Sequence, residues 1–369
     1  MSVHPFPTPE HTDVLIIGAG LSGIGAAYYL QRDQPGKSFV ILESRTASGG
    51  TWDLFRYPGI RSDSDLHTFG YEFKPWVHDK AIADGGDILA YLRQTAAENG
   101  IDRKIRYQRK VVSAAWSSED ARWTVQVQHT DTGETHTMVC KWLFSAAGYY
   151  RYDQGFTPRF DGIENFQGQV IHPQHWPDDL DYKGKQVAVI GSGATAITVV
   201  PNMARDAAKV TMVQRTPTYI RSIPGEDRIG QFLRKILPLR TATRLARAMR
   251  VRLGDKMYKT ARTKPDMVRE RIDNDTRKHL GAHYRAENHT PPYQPWDQRM
   301  CFVPDADLFE AIKDGSVEIV TGHIDRFVAD GIVMTDGRKV PADIIVKATG
   351  LQLAMGGKIA LSVDGQAIA

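Results

Sequence analysis

Two stretches of this chain share one rhythm of apolar and polar positions. In the first, the apolar run at residues 14–17 gives way at once to Gly18-Ala19-Gly20-Leu21-Ser22-Gly23. A segment with Ala26, Ala27 and Leu30 at helical spacing follows, and a second apolar run, Phe39–Leu42, ends at Glu43. In the second stretch, residues 187–190 run into Gly191-Ser192-Gly193-Ala194-Thr195-Ala196, then a helical segment, then a strand pattern, Val210-Thr211-Met212-Val213, ending at Gln214-Arg215. Short, largely apolar runs of this kind read as strands buried on both faces. Strand, glycine-rich turn, helix and strand in that order make a βαβ unit. Its recurrence is a duplicated module, not a short-period repeat array.

Between residues 225 and 288 the rhythm changes. Strand signals vanish, and Lys and Arg far outnumber Asp and Glu. Phe232, Leu233, Ile236 and Leu237, then Leu245, Met249 and Leu253, recur at helical spacing. The spacing predicts a helical insertion over about 225–290 with a basic outer face. A solvated face is one meaning of that charge, and contact with an anionic membrane or a partner is the other. Strand patterns return at 317–320, 332–334 and 344–346, and the last runs into an Ala348-Thr349-Gly350 turn. The predicted fold is α/β, with two Rossmann-type doubly wound domains, one inserted in the other. The outer domain is assigned to 1–150 and 335–369, and the inserted one to 151–334.

Length and composition agree with this plan. A chain of 369 residues exceeds one ordinary core. Its 41% hydrophobic and 24% charged residues are those of an ordinary globular protein. A net charge of +4 is too small to argue for nucleic acid. Cys140 and Cys301 form no CxxC pair, so a cytoplasmic setting is the default. The opening residues are polar and proline-rich, and no secretory signal or bilayer-length apolar run is visible.

The turns carry the candidate chemistry. Gly18 makes the tight turn, Gly20 lets backbone approach a pyrophosphate, and Gly23 permits close helix packing. The helix N-terminus then faces phosphate charge. Glu43 can accept from both ribose hydroxyls and would repel a 2′-phosphate, so the first turn suits FAD or NAD. Gly191, Gly193 and Ala196 form the second turn. Arg215, followed by Thr216, offers a guanidinium that can fork onto a 2′-phosphate, so the second turn suits NADPH. The bland alternatives are a tight turn without function and an arginine in a surface ion pair. Two dinucleotide sites of opposite charge preference imply electron flow from NADPH to a flavin.

Further motifs carry a resemblance. Phe166-x-Gly168-x-x-x-His172-x-x-x-Trp176-Pro177 is similar to the fingerprint of the Baeyer–Villiger monooxygenases, a branch of the class B flavoprotein monooxygenases. Gly49-Gly50-Thr51-Trp52, Tyr57-Pro58-Gly59 and Asp63 resemble their second fingerprint. Pro295-Trp296-Asp297-Gln298-Arg299 and the Ala348-Thr349-Gly350 turn match as well. Within that family the chain looks most like the ethionamide-activating group. The resemblance implies FAD and NADPH as cofactors, with Gly50, Thr51, Trp52, Asp63 and Gly350 near them. It implies that Arg299 stabilises a negatively charged C4a-peroxyflavin and that Asp63 orients Arg299. Simpler roles are a helix cap for Asp63 and a structural ion pair for Arg299.

His172 and Trp176 would sit in the linker between domains, with a conformational role. The metal-like spacing of His172 and His175 is not read as a metal site. The implied reaction places one atom of O2 on a small-molecule ketone or a sulfur substrate. A flavin disulfide reductase would need a cysteine pair that is missing. Family members continue well past the Ala348-Thr349-Gly350 turn with a segment that covers the flavin, so an impaired cofactor-binding remnant is the alternative.

Overall fold

Why does the glycine-rich module recur? In the computed structural model, which describes residues 9–298 and 300–368, each copy nucleates its own sheet, and the chain divides into two units. The first comprises Met1–Leu54, Gly86–Gln154 and Leu351–Ala369; the second comprises Phe55–Gly85 and Gly155–Gly350.

The first unit is built on an eight-stranded sheet. Glu10–Ile17 lies at its heart, parallel to Phe39–Leu42 on one side and to Thr135–Ser145 on the other. The helix Leu21–Asp33 connects the first two. An antiparallel meander, Arg109–Ser117, Arg122–His129 and Thr135–Ser145, extends the sheet, and Ala360–Val363 adds in parallel to its edge. The sheet is therefore mixed: the doubly wound core is parallel, and the hairpins that widen it are not. Leu15, Ile17, Leu42, Val125, Val127 and Met138 form its buried core.

The second unit carries a five-stranded parallel sheet in the order Val317–Thr321, Lys209–Gln214, Gln186–Ile190, Ile344–Lys347, Gln169–Ile171. The helix Ala194–Met203 links Gln186–Ile190 to Lys209–Gln214. Ala188, Ile190, Val213 and Ile345 pack there with Phe327 and Ile332 from a three-stranded antiparallel sheet. Between Ile223 and Met300 the predicted helical insertion is present as Arg228–Ile236, Leu239–Thr263, Pro265–Leu280 and the short Ala286–His289.

The division differs from the expected boundaries in two places. Residues 335–350 belong to the second unit, because Ile344–Lys347 is an interior strand of its parallel sheet. Phe55–Gly85 also belongs there, although it follows the first βαβ module. The reason is bonding to residues far away in sequence. The Arg61 guanidinium pairs with Asp307 at 2.6 Å, and the Ala81 and Asp227 N–H groups donate to the Gly225 and Asp79 carbonyls. His67 bonds Asp227 at 2.5 Å.

Candidate dinucleotide sites

In the first unit the turn is shaped by contacts that only glycine allows. Gly18 has φ +98°, and a Cβ there would lie 2.5 Å from the Ala146 carbonyl oxygen. A Cβ on Gly23 would lie 1.9 Å from the Gly18 oxygen, which is what brings the helix down on the turn. Gly20 is different: the nearest atom to its would-be Cβ is the Gly50 Cα at 3.6 Å. The open side of Gly20 is space that a pyrophosphate backbone can use. The helix behind it starts at Leu21 with no side-chain cap and no acid in its first turn. Its first N–H groups have no intrahelical acceptor, so they suit an anion.

Glu43 stands beside that turn. It is 6% exposed, and its two carboxylate oxygens accept the Ala19 and Arg45 N–H groups, each at 2.9 Å. The carboxylate is thus held rigidly beside the glycine turn. The Gly49–Gly50 loop runs alongside, with the Gly49 N–H donating to the Ala19 carbonyl at 3.0 Å. Asp53, 4% exposed, braces this loop: it pairs with Arg45 at 2.7 Å and Arg93 at 2.5 Å, and those guanidiniums also donate to the Gly50 and Ser48 carbonyls. The Thr51 hydroxyl lies 3.2 Å from the Tyr152 hydroxyl, and burial pushes the Tyr152 phenol up from its ordinary pKa. Trp52 is half-buried in the short helix Thr51–Leu54. Sequence reasoning named Gly50, Thr51 and Trp52 as candidates and did not name Asp53, Arg45, Arg93 or Tyr152, which the structure places around them.

The second unit repeats the turn with different chemistry. Gly191, at φ +136°, would place a Cβ 2.3 Å from the Ala348 carbonyl oxygen. A Cβ on Gly193 would meet nothing within 4 Å. The helix Ala194–Met203 again begins without a side-chain cap or an acidic first turn. Ala196 takes the place of Gly23 and is wholly buried. Ser192 accepts or donates at 2.9 Å to Thr218 and donates to the Thr216 carbonyl at 3.2 Å, tying the turn to the strand exit.

The register corrects one equivalence. Gly18 N–H donates to the Leu42 carbonyl, and Gly191 N–H donates to the Val213 carbonyl, each at 2.8 Å. The residue matching Glu43 is therefore Gln214, not Arg215. Gln214 is 2% exposed, and its amide donates to the Asn288 carbonyl and the Thr321 hydroxyl. Arg215 comes one residue later, is exposed, and forms no ion pair among the described residues. A neutral amide in place of a carboxylate, followed by an uncommitted guanidinium, removes the repulsion of a 2′-phosphate and adds an attraction. The register also pairs the Ala348-Thr349-Gly350 turn with Ala146-Ala147-Gly148. Each follows the strand beside the glycine turn, and Gly148 and Gly350 have φ +77° and +107°.

Of the remaining candidates, Tyr57 and Gly59 pack on the helix Ala194–Met203. Tyr57 is hydrogen-bonded to Thr195, and burial pushes its phenol up to about 12. A Cβ on Gly59, at φ +74°, would strike the Asn202 amide at 2.0 Å. Asp63 is exposed and makes no hydrogen bond or ion pair among the described residues. The helix cap foreseen for it belongs to Asp65, whose carboxylate accepts the Thr68 N–H at 3.1 Å at the start of Leu66–Phe69. Arg299, the expected partner of Asp63, lies outside the described residues. His172 links Gly155 to Gly350 within the second unit. Its Nδ1 accepts the Gln174 N–H at 3.2 Å, so Nε2 carries the proton and donates to the Gly350 carbonyl at 3.2 Å. The ring packs so closely on Gly155 that a Cβ there would be 2.1 Å away. Burial lowers the His172 pKa, which keeps this neutral tautomer. Phe156 N–H donates to the same Gly350 carbonyl at 3.1 Å, and Thr349 donates to the Phe156 carbonyl at 2.6 Å. Among the described residues no group of three or more His, Cys, Asp or Glu could hold a metal ion.

Comparison with known proteins fits this geometry. A flavin-binding monooxygenase-like family model matches residues 71–356, and an NAD(P)-binding Rossmann-like model matches residues 16–79. The chain is 50% identical over 361 residues to the FAD-containing monooxygenase EthA of Mycobacterium tuberculosis, covering 97% of this chain and 73% of EthA. It is 49% identical over 360 residues to the putative FAD-containing monooxygenase MymA of the same organism, covering 96% and 73%. Among solved structures, an oxidised steroid monooxygenase bound to NADP superposes with a TM-score of 0.77 at 27% identity, covering 95% of this chain and 73% of that one. With a family model spanning most of its length and relatives at half identity, this chain belongs to the flavin-binding monooxygenase-like family.

Proposed function

We propose that this chain is an NADPH-dependent flavoprotein monooxygenase of the Baeyer–Villiger type, with FAD on the first glycine turn and NADPH on the second. The observation that carries the assignment is the opposite chemistry at one register position: buried Glu43 in the first unit, neutral Gln214 followed by free Arg215 in the second. The relatives named FAD-containing monooxygenases, and the steroid monooxygenase bound to NADP, support the same pair of cofactors. FAD, once reduced by NADPH, supplies the oxygen chemistry that puts one atom of O2 on a substrate and the other into water.

The chain's own residues bind and orient. Glu43 takes ribose hydroxyls while its Ala19 and Arg45 bonds hold it still. The uncapped N-termini of Leu21–Asp33 and Ala194–Met203 accept the two pyrophosphates. Thr51, Trp52 and Gly50 line the flavin side of the first turn, and Gly350 ends the turn that His172 bonds. On the family resemblance, Arg299 would supply a positive charge to offset developing negative charge, and Asp63 would be its partner. The substrate is a small-molecule ketone, giving an ester or lactone, or a thioether or thioamide, giving an S-oxide. The enzyme reading is preferred to that of an impaired remnant because similarity to relatives named FAD-containing monooxygenases runs across 96–97% of this chain. No helix among the described residues is long and apolar enough to cross a membrane. Placement in the cytoplasm is part of the proposal, with peripheral contact to an anionic membrane through the basic helical insertion.

The test is to purify the protein with FAD, reduce it anaerobically with NADPH, and then admit oxygen with a cyclic ketone or a thioether. Flavin bleaching by NADPH followed by ester or S-oxide formation is the expected result. A flavin that NADPH does not reduce overturns the assignment.

A further inference from the structure

The insertion turns large apolar side chains toward solvent. Helix Arg228–Ile236 buries one edge: Leu233 packs with Ala242 and Ala246 of the next helix and with Leu237. Its other edge does the opposite. Ile229, Phe232 and Ile236 follow the i, i+3, i+7 spacing of one helical face, and they are 54%, 60% and 57% exposed. Leu239, at the start of Leu239–Thr263, is also 45% exposed. A contiguous apolar ridge on a protein surface marks a contact site.

Charge indicates which kind of contact. Residues 228–264 hold twelve Lys and Arg and one acid, Asp255. Several cations are committed within the fold: Arg234 pairs with Asp79, Arg250 with Asp227, and Arg247 donates to the His67 and Gly70 carbonyls. These bonds fix the direction in which the helix points. Arg228, Lys235 and Arg240, which flank the ridge, are exposed and form no ion pair among the described residues. A second copy of this chain would bring the same positive charge to the contact and be repelled. An apolar ridge rimmed by unpaired cations is instead complementary to a bilayer with anionic headgroups.

Resting on the reading of the insertion as a peripheral membrane contact, we infer that helix Arg228–Ile236 lies in the plane of an anionic bilayer surface. Ile229, Phe232 and Ile236 enter the acyl-chain boundary, and Arg228, Lys235 and Arg240 meet headgroup phosphates. Each cation near such a surface contributes about a fivefold gain in binding, and the buried apolar edge makes the contact persist as salt rises.

The experiment uses the FAD-loaded protein and vesicles of phosphatidylcholine with or without one third phosphatidylglycerol, read by co-sedimentation. The parent should bind the anionic vesicles and not the neutral ones. Phe232→Ser with Ile236→Ser should weaken that binding by about tenfold or more, while thermal midpoint, flavin content and NADPH oxidation stay unchanged because both side chains are exposed. Lys235→Glu with Arg240→Glu should weaken it to a similar degree. In a Phe232→Trp variant, added tryptophan emission should shift to the blue on anionic vesicles. If the ridge variant binds like the parent while the charge-reversed one does not, contact is electrostatic only: insertion of this helix is overturned and peripheral contact stands. If the parent binds no anionic vesicle, both fail. If the ridge variant instead dissolves an oligomer of the lipid-free parent, the occupant is a second copy and the inference is overturned.

Discussion

Arg215→Ala isolates the residue on which the choice of nicotinamide cofactor turns. The side chain is exposed and forms no ion pair among the described residues. Its neighbour Gln214 keeps the strand end in place through bonds of 2.9 Å to Asn288 and Thr321. Truncating Arg215 should therefore change stability by no more than about 0.5 kcal/mol. A charge-assisted bond to a 2′-phosphate is worth about 1.5–3 kcal/mol, or roughly 10- to 150-fold in affinity. NADH has no such phosphate, and it shares with NADPH every contact made by Gly191, Gly193 and the helix N-terminus. So the variant should lose that factor in kcat/KM for NADPH and almost none for NADH. The assay is NADPH and NADH oxidation at two ionic strengths, with thermal midpoint as control. The gap between cofactors in the parent should narrow as salt rises. Equal losses for both cofactors, or no loss for either, would refute the assignment of Arg215 to the phosphate.

Other outcomes follow from the same geometry. Gly23→Ala drives a methyl to within 1.9 Å of the Gly18 oxygen; it should cost about 1–3 kcal/mol and strip flavin during gel filtration. Gly193→Ala, with open space around it, should leave the thermal midpoint and FAD content unchanged and weaken NADPH and NADH alike. Asp227→Asn should cost about 3–5 kcal/mol at neutral pH, since it breaks a buried pair. Burial opposes the Asp227 charge, but bonds from His67, the Gly230 N–H and Arg250 outweigh it and hold the carboxyl below its ordinary pKa. Its contribution is thus complete above the unfolded carboxylate pKa and lost only as pH falls through the lower folded value; urea unfolding of parent and variant across acid pH checks this. Arg299→Ala should keep FAD and NADPH oxidation, release hydrogen peroxide, and form product about 10²–10³-fold more slowly; undiminished coupling would remove Arg299 from the reaction.

Local pattern carried the parallel cores into view. The apolar run 39–42 is the strand Phe39–Leu42, and 187–190, 210–213 and 344–346 fall inside strands that differ by a residue or two at their ends. Short runs this rich in branched apolar residues have few alternatives to a buried parallel strand. What escaped were contacts across long sequence distances. Nothing near Tyr152 announces that it meets Thr51, and nothing near Phe55–Gly85 announces that it bonds to Asp227 and Asp307. Such a segment is assigned by its neighbours in space, which periodicity does not encode. The offset between Glu43 and Arg215 shows a finer limit. The end of a strand can be read by eye to within a residue, but only the hydrogen bonds of Gly18 and Gly191 establish that Gln214 is the true counterpart. The meander that widens the first sheet was unread because its alternation is weak, with half-buried residues on both faces of Arg109–Ser117.

The most direct test of the whole account follows the oxygen. FAD-loaded protein is given NADPH, a cyclic ketone or a thioether, and molecular oxygen labelled with ¹⁸O, and the product is weighed by mass spectrometry against NADPH consumed. The account predicts one labelled oxygen in each molecule of ester or S-oxide, with product rising in step with NADPH used. Unlabelled product, or labelled product formed without NADPH, would contradict it.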